Sequence, residues 1–321
     1  MQITVALAGD TMLGRGVAER LHSDPPESLV APEVVAAIKE ADLFLLNLEC
    51  CISDRGQPWP RPGKPFFFRA PSSAVGFLRH LGVDCVTLAN NHALDFGEDA
   101  LVDTLTLLDD AGIAHVGAGT TLDQATRPVV LEAHGVPIAV IGISDHPDDF
   151  AASADHPGIA YHDLRGGVPE WVVRTIDRFR SNGTAVLVTP HWGPNMASSP
   201  LPHVRVAAAE LVGAGATLIA GHSAHVFQGV DGPVLFDLGD FIDDYAVDPV
   251  LRNDLGLLFL ATLDEEGPVR LEAVPLNLDY CYTRVAEEHD ARWITDRFTK
   301  ACAEFGTDVV QEDGRLVVAW R

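Results

Sequence analysis

Positive charge is scarce in this chain. Only 22 Lys and Arg stand against 46 Asp and Glu, leaving a formal net charge of -24. A nucleic-acid binder needs a basic footprint and so does a protein that adheres to anionic lipid, so neither nucleic acid nor a membrane is expected as a partner. An anionic substrate stays compatible, because a few Arg and Lys can reverse the potential inside a cleft. Cysteine is sparse as well: Cys50, Cys51, Cys85, Cys281 and Cys302 are odd in number and lack C-x-x-C spacing. That pattern excludes a disulfide framework and predicts reduced, buried thiols, with Cys50 and Cys51 filling core even though they follow Glu49 directly. Long apolar runs are missing too. The start, Met1-Gln2-Ile3-Thr4-Val5-Ala6-Leu7-Ala8-Gly9-Asp10, has neither a basic region nor an apolar stretch of anchoring length. No signal peptide or membrane anchor is expected, and the chain reads as cytoplasmic. With no repeat, low-complexity tract or linker, and with 47% hydrophobic residues in 321, one domain over residues 1–321 with a sizeable core is expected.

What the chain does have is a series of short apolar runs that stop abruptly at polar groups. Residues 3–8 run into Gly9-Asp10, and residues 42–49 end on Glu49. Residues 83–88 run into Asn90-Asn91-His92, with Asp95 three places on. Residues 185–189 end at Pro190-His191-Trp192-Gly193, and residues 216–220 at Gly221-His222-Ser223-Ala224-His225. Such runs predict buried strands. Between them, helical patterns cover 32–41, 72–81 with Ser72 or Ser73 as cap, a stretch that stops at Gly112, 169–180 and 204–212. This alternation predicts parallel βαβ units. Hairpins are expected around His134-Gly135 and between 257–263 and 269–274, one strand over 233–241, a helix over 291–305 and a closing hairpin at Glu312-Asp313-Gly314. The expected class is α/β.

Ligands of open α/β sheets gather beyond the carboxyl ends of the strands. Here that edge collects Asp10, Glu49, Asn91, His92, His191, His222 and His225. Mixed carboxylate, amide and imidazole donors suit Mn, Fe or Zn, with Mg or Ca as harder alternatives. A carboxylate such as Glu49 can bridge two ions, and ions about 3.5–4 Å apart activate water and stabilise a displaced oxygen. Adjacent Asn91 and His92 do not easily serve the same ion, which frees His92 for proton transfer with Asp95 fixing its tautomer. The alternative is that the two cap the helix that begins near Gly97. Residues 52–71 form a long loop rich in Pro and Phe that carries Arg61, Lys64 and Arg69. It reads either as a substrate-facing flap with a basic patch or as a proline-stiffened surface loop. Residues 144–165, with His146, Asp148, Asp149, Asp155, His156 and His162, read as an acidic solvated loop rather than a metal-binding insert.

Gly9-Asp10-Thr11-Met12-Leu13-Gly14-Arg15, Asn47-Leu48-Glu49, Ala89-Asn90-Asn91-His92-Ala93-Leu94-Asp95-Phe96-Gly97, His191-Trp192-Gly193 and Gly221-His222-Ser223-Ala224-His225-Val226 together resemble the capsule-synthesis (poly-gamma-glutamate synthesis, CapA-like) family. That family is similar to the calcineurin-like metallophosphoesterases, and the resemblance runs over about residues 3–245. It implies a four-layer α/β/β/α sandwich with mixed sheets, completed by residues 246–321, and one or two divalent metal ions at the strand ends. Asp10, Glu49, Asn91, His191 and one or both of His222 and His225 would be ligands, His92 the acid–base group, and Arg15 would hold an anionic substrate group. The sequence departs from the family where His222-Ser223-Ala224-His225 replaces x-H-P-H and where Asp237-Leu238-Gly239-Asp240-Phe241 replaces S-L-G-N-F. The activity implied is hydrolysis of a phosphoester, or of a glutamyl or peptide amide, by a hydroxide on the metal while His92 protonates the leaving group. The alternatives are metal-dependent epimerisation of a peptide, since the resemblance extends to epimerases of modified-peptide pathways, and non-catalytic binding on the same fold. A small molecule or a peptide is the expected substrate.

Overall fold

The computed structural model describes residues 2–60 and 62–320. At its centre lies the strand Ile3–Thr11, whose backbone pairs on one side in parallel with Leu43–Leu48 and through it with Cys85–Thr87 and Ala114–Val116. On the other side it pairs antiparallel with Leu255–Asp264, followed by Gly267–Asp279 and Arg315–Ala319. A second, smaller sheet joins the hairpin Val129–Ala133 and Val136–Ser144 to the parallel strands Ala185–His191, Leu218–Ala220 and Val234–Leu235.

Strand side chains alternate between faces, so a run that is apolar throughout must be covered on both. Val5, Leu7, Leu43 and Leu45 of the larger sheet meet Val140, Leu187 and Leu218 of the smaller one in a shared apolar layer. The opposite face, with Ala6, Ala8, Phe44 and Leu46, packs on the helices Pro32–Ile38, Ala74–Leu81 and Glu98–Ala111. Ala139, Ile141, Val186 and Val188 of the smaller sheet pack in the same way on Glu170–Arg180 and Pro202–Gly213. The result is the α/β/β/α sandwich that the resemblance to the calcineurin-like metallophosphoesterases implies. The helix Glu288–Ala303 inserts Ile294, Phe298 and Cys302 into the layer between the sheets.

Three local readings are corrected. Residues 233–241 do not form one strand: Val234–Leu235 belongs to the smaller sheet, whereas Asp240–Ile242 pairs with Ile3–Thr11 in the larger. The chain changes sheets at Gly239, whose φ of 75° favours glycine and whose carbonyl accepts from Asp10 N at 2.8 Å. A Cβ on Gly9 would stand 1.8 Å from that oxygen, so the two glycines permit the crossing. A helix at Arg15–Ser23 is additional, its core-facing positions amounting to Gly16, Val17 and Leu21. Ser73 stands at the N-cap of Ala74–Leu81, but its side chain makes no capping bond. Among the described residues no helix is long and apolar enough to cross a membrane.

Candidate metal centre

The parallel strands of both sheets end at one edge of the sandwich. Asp10 lies at a register shift one residue from the end of its strand, directly opposite Asp240 of the crossing strand. Glu49 follows Leu43–Leu48, and His191 closes Ala185–His191, where it forms a bridge with His222. His225 occupies a left-handed backbone position, φ 58°, in the turn after Leu218–Ala220. Such a conformation is uncommon for any residue but glycine and costs on the order of 1–3 kcal/mol, which makes it a marker of functional sites. Arg15 (φ 48°), Met196 (φ 59°) and Ser223 (φ 120°) share this feature around the same edge.

Two groups of ligand atoms result. Asp10, His191 and His222 form one; Asp10, Glu49, His225 and Asp240 form the other, each with its atoms within 4.8 Å of one another and all its residues buried. His191 Nδ1 and His222 Nδ1 are 2.7 Å apart, while His222 Nε2 meets Thr189 Oγ1 at 3.0 Å. His225 Nδ1 lies 2.8 Å from Asp240 Oδ1, 3.2 Å from Asp10 Oδ2 and 3.8 Å from Glu49 Oε2. Asp10 is further held by Asn47 Nδ2, which donates to its Oδ1 at 2.7 Å, and Asn47 in turn accepts from Asn90 at 2.9 Å. Asn90 thus has a positioning role, as does its Oδ1, which accepts from His92 N.

Both Glu49 oxygens, Asn91 Oδ1, His191 Nε2 and Asp240 Oδ2 are buried without a hydrogen-bond partner. A buried acceptor left unpaired costs roughly 1–3 kcal/mol, and here several converge. A divalent cation satisfies such a set, so the residues present fit a metal of the borderline first row. The electrostatics agree. Burial holds Glu49 and Asp240 well above the usual carboxylate range, with the charge of Asp10 adding to the effect on Glu49. Burial also works to raise Asp10, but the hydrogen bond and charge of His225 hold it below its ordinary value. Burial lowers His191 strongly and His222 to about 4, which keeps both imidazoles neutral and able to ligate. His225 goes the other way: burial disfavours its cation, but Asp240 and Glu49 raise it well above the ordinary range.

His92 is distinct from these groups. Its Nδ1 lies 2.6 Å from Asp95 Oδ2, and its Nε2 points toward Glu49 Oε1 at 3.8 Å. Burial lowers its pKa more than Asp95 raises it. Asp95 also accepts from Phe68 N at 2.6 Å and pairs with Lys64 Nζ at 2.9 Å. Lys64, read from sequence as a substrate contact, is therefore committed to Asp95 and to the Asn91 carbonyl at 2.8 Å. Arg69 is committed as well, to the carbonyls of Arg55 and Gly56 and to the face of Phe96. Arg15 pairs with Asp244 at 3.0 Å, and Arg61 lies outside the described residues.

Two cavities flank the centre. A polar one of about 590 Å³ is lined by the tip of the 52–71 loop with Asn91, His146 and Arg165; the other, of about 520 Å³, reaches His92 and His225. The 52–71 loop borders both, as a flap would. The 144–165 loop supplies His146, bonded to Asp145, to the polar cavity but no member of either ligand group found among the described residues. Sequence reasoning missed Asp240. The signal was present in the departure Asp237-Leu238-Gly239-Asp240-Phe241, but reading 233–241 as one strand hid its approach to Asp10. Cys50 and Cys51 are buried free thiols, as expected.

The family model described as Bacterial capsule synthesis protein PGA_cap matches residues 4–245. A probable polyglutamine synthesis accessory protein of Mycobacterium tuberculosis is 29% identical, the match covering 98% of this chain and 95% of that one. The capsule biosynthesis protein CapA of Bacillus anthracis is 28% identical over 86% of this chain and 68% of its own length; the PGA biosynthesis protein CapA of Bacillus subtilis is 27% identical over 86% and 72%. Among solved structures, the NAD nucleotidase of Haemophilus influenzae aligns at a TM-score of 0.46 and 11% identity, covering 90% of this chain and 52% of the other.

Proposed function

Because this chain belongs to the bacterial capsule synthesis protein family PGA_cap, we propose that it is a metal-dependent hydrolase acting on a phosphoester or on a glutamyl or peptide amide. The observation that carries this reading is the convergence of buried, unpartnered acceptors from both sheets on Asp10. Glu49, His225 and Asp240 would hold one ion and His191, His222 and Asn91 a second, with Asp10 between them. Bound there, a Mn, Fe or Zn ion supplies Lewis-acid polarisation of the scissile bond and neutralises developing charge.

The chain's own residues supply proton transfer and shielding. With Nδ1 facing Asp95, His92 presents Nε2 to the reacting group; it would give a proton to a leaving group from its imidazolium form, which Asp95 stabilises against the burial that lowers its pKa. Phe68, its ring centroid 4.3 Å from that of His92, keeps bulk water off this face. The names of the relatives, which refer to polyglutamine and capsule synthesis, support including glutamyl amides among the substrates tried. The test is to strip the protein with chelator, measure uptake of Mn, Fe and Zn, and assay aryl phosphates and gamma-glutamyl amides. Stoichiometric uptake with hydrolysis restored is the expected result; no uptake and no turnover with any of the three would remove the reading.

Epimerisation is the second reading, and His146 is the observation in its favour. It is bonded to Asp145 and lines the cavity beside Asn91, whereas His92 lines the other. Inverting a centre uses proton carriers on opposite faces, so deuterium uptake at a peptide Cα without cleavage would select it.

A further inference from the structure

The cavity that ends at His92 and His225 has walls unlike those a polyanionic chain would require. Phe66 and Phe68 stack with ring centroids 6.3 Å apart and an interplanar angle of 10°. Phe68 continues to Tyr245 at 5.8 Å, and Tyr245 meets His225 edge-on at 5.2 Å. Met196, Val247 and Pro249 extend the apolar lining, and Asn195 and Asn253 contribute amides. Met196 is held there from a left-handed backbone position by its N–H bond to the Ala224 carbonyl, 2.9 Å. A strained backbone that presents a flexible thioether to a cavity is a feature of apolar recognition.

The charges in the cavity lead to the same conclusion. The cations that line it are already paired: Arg15 with Asp244 through Nε at 3.1 Å and a second nitrogen at 3.0 Å, and His225 with Asp240 at 2.8 Å and Asp10 at 3.2 Å. Arg15 lies over the Phe66 and Phe68 rings at 5.4 and 5.3 Å, where it extends the aromatic wall. Asp248 adds a carboxylate at the rim, on a chain of net charge -24. A glutamate side chain placed here would lose its hydration and meet only lining cations that already have a carboxylate partner. Half-exposed Phe66 and Val247 at the mouth instead offer apolar area to a residue entering from solvent.

We infer that the substrate places an apolar side chain, aromatic or branched, in this cavity beside the reacting group, so that the enzyme selects a peptide-like amide with an apolar residue over one with a glutamyl side chain. This deepens the proposed function and rests on the site being the reacting centre, but it is tested by binding alone. Calorimetry on the full chain, with and without Mn, would compare N-acetyl-phenylalanine amide with N-acetyl-glutamate amide. The expected result is a preference of about tenfold or more for the phenylalanyl probe. Phe66→Ala, at an exposed position, is expected to cut that preference below about threefold, and Phe66→Lys to strengthen the glutamyl probe, both without changing Mn uptake or thermal stability. Equal binding, tighter glutamyl binding, no binding of either probe, or a preference that ignores both substitutions would overturn the inference. Absence of Mn uptake with the phenylalanyl preference intact would instead count against the metal-dependent hydrolase.

Discussion

His92 and Lys64 both owe their roles to Asp95. Its carboxylate takes His92 Nδ1 on one oxygen and Lys64 Nζ on the other, with all three side chains almost fully buried. His92→Ala is therefore expected to lower kcat by about 10²–10⁴-fold while bound metal, measured by elemental analysis, stays unchanged. Loss of metal in that variant would make His92 a ligand or a structural group instead. Lys64→Met separates two readings of the flap. A substrate-binding lysine would raise KM for an anionic substrate and spare the fold. The observed pairing predicts otherwise: removing one partner of a buried pair costs about 3–5 kcal/mol, and loosening Asp95 lowers kcat with KM little altered. A melting curve and a kcat-against-KM comparison on the same variant decide between them.

At the scale of elements, the site depends on one crossing. Asp10 and Asp240 each follow a glycine, and Gly9 and Gly239 touch where the chain passes from one sheet to the other. Gly9→Ala would drive a Cβ into a backbone oxygen that cannot rotate away, and we expect a loss of about 3 kcal/mol or more together with loss of metal uptake. Gly76→Ala is the control, an exposed helical position with nothing within 4 Å. It should stabilise by about 0.5–1 kcal/mol in urea melts and leave uptake untouched. The strands that lead to Asp10, Glu49, His191 and His222 were legible because each is a continuous apolar run broken by a polar residue, and the three predicted hairpins were marked by His134-Gly135, Asp264-Glu265-Glu266-Gly267 and Glu312-Asp313-Gly314. The crossing was not legible. Residues 233–241 have the composition of one strand, and only the contact between two glycines distant in sequence divides it. The commitment of Lys64 and Arg69 was hidden for a similar reason, since a cation's partner across a loop leaves no periodic trace.

At the scale of the whole molecule, the candidate ligands tie the two sheets together, Asp10 and Asp240 belonging to the larger and His191 to the smaller. Burial raises the pKa values of Glu49 and Asp240, so without an ion they release their protons at higher pH than in the unfolded chain, where release occurs above about pH 4. Above that point the native state binds more protons than the unfolded one, so this contribution to stability falls as pH rises through the raised native values. An ion replaces those protons and binds only the native arrangement. Its stabilisation should therefore grow with pH, and at 100 times its Kd it amounts to about 2.7 kcal/mol, or a rise of roughly 5 °C in Tm for a chain of this size. Thermal melts of the stripped protein between pH 5 and 8, with and without Mn, measure this directly. A Tm that ignores Mn at every pH, or a shift that shrinks as pH rises, would mean that the buried carboxylates are balanced by their own histidines and that the two sheets are held without a metal.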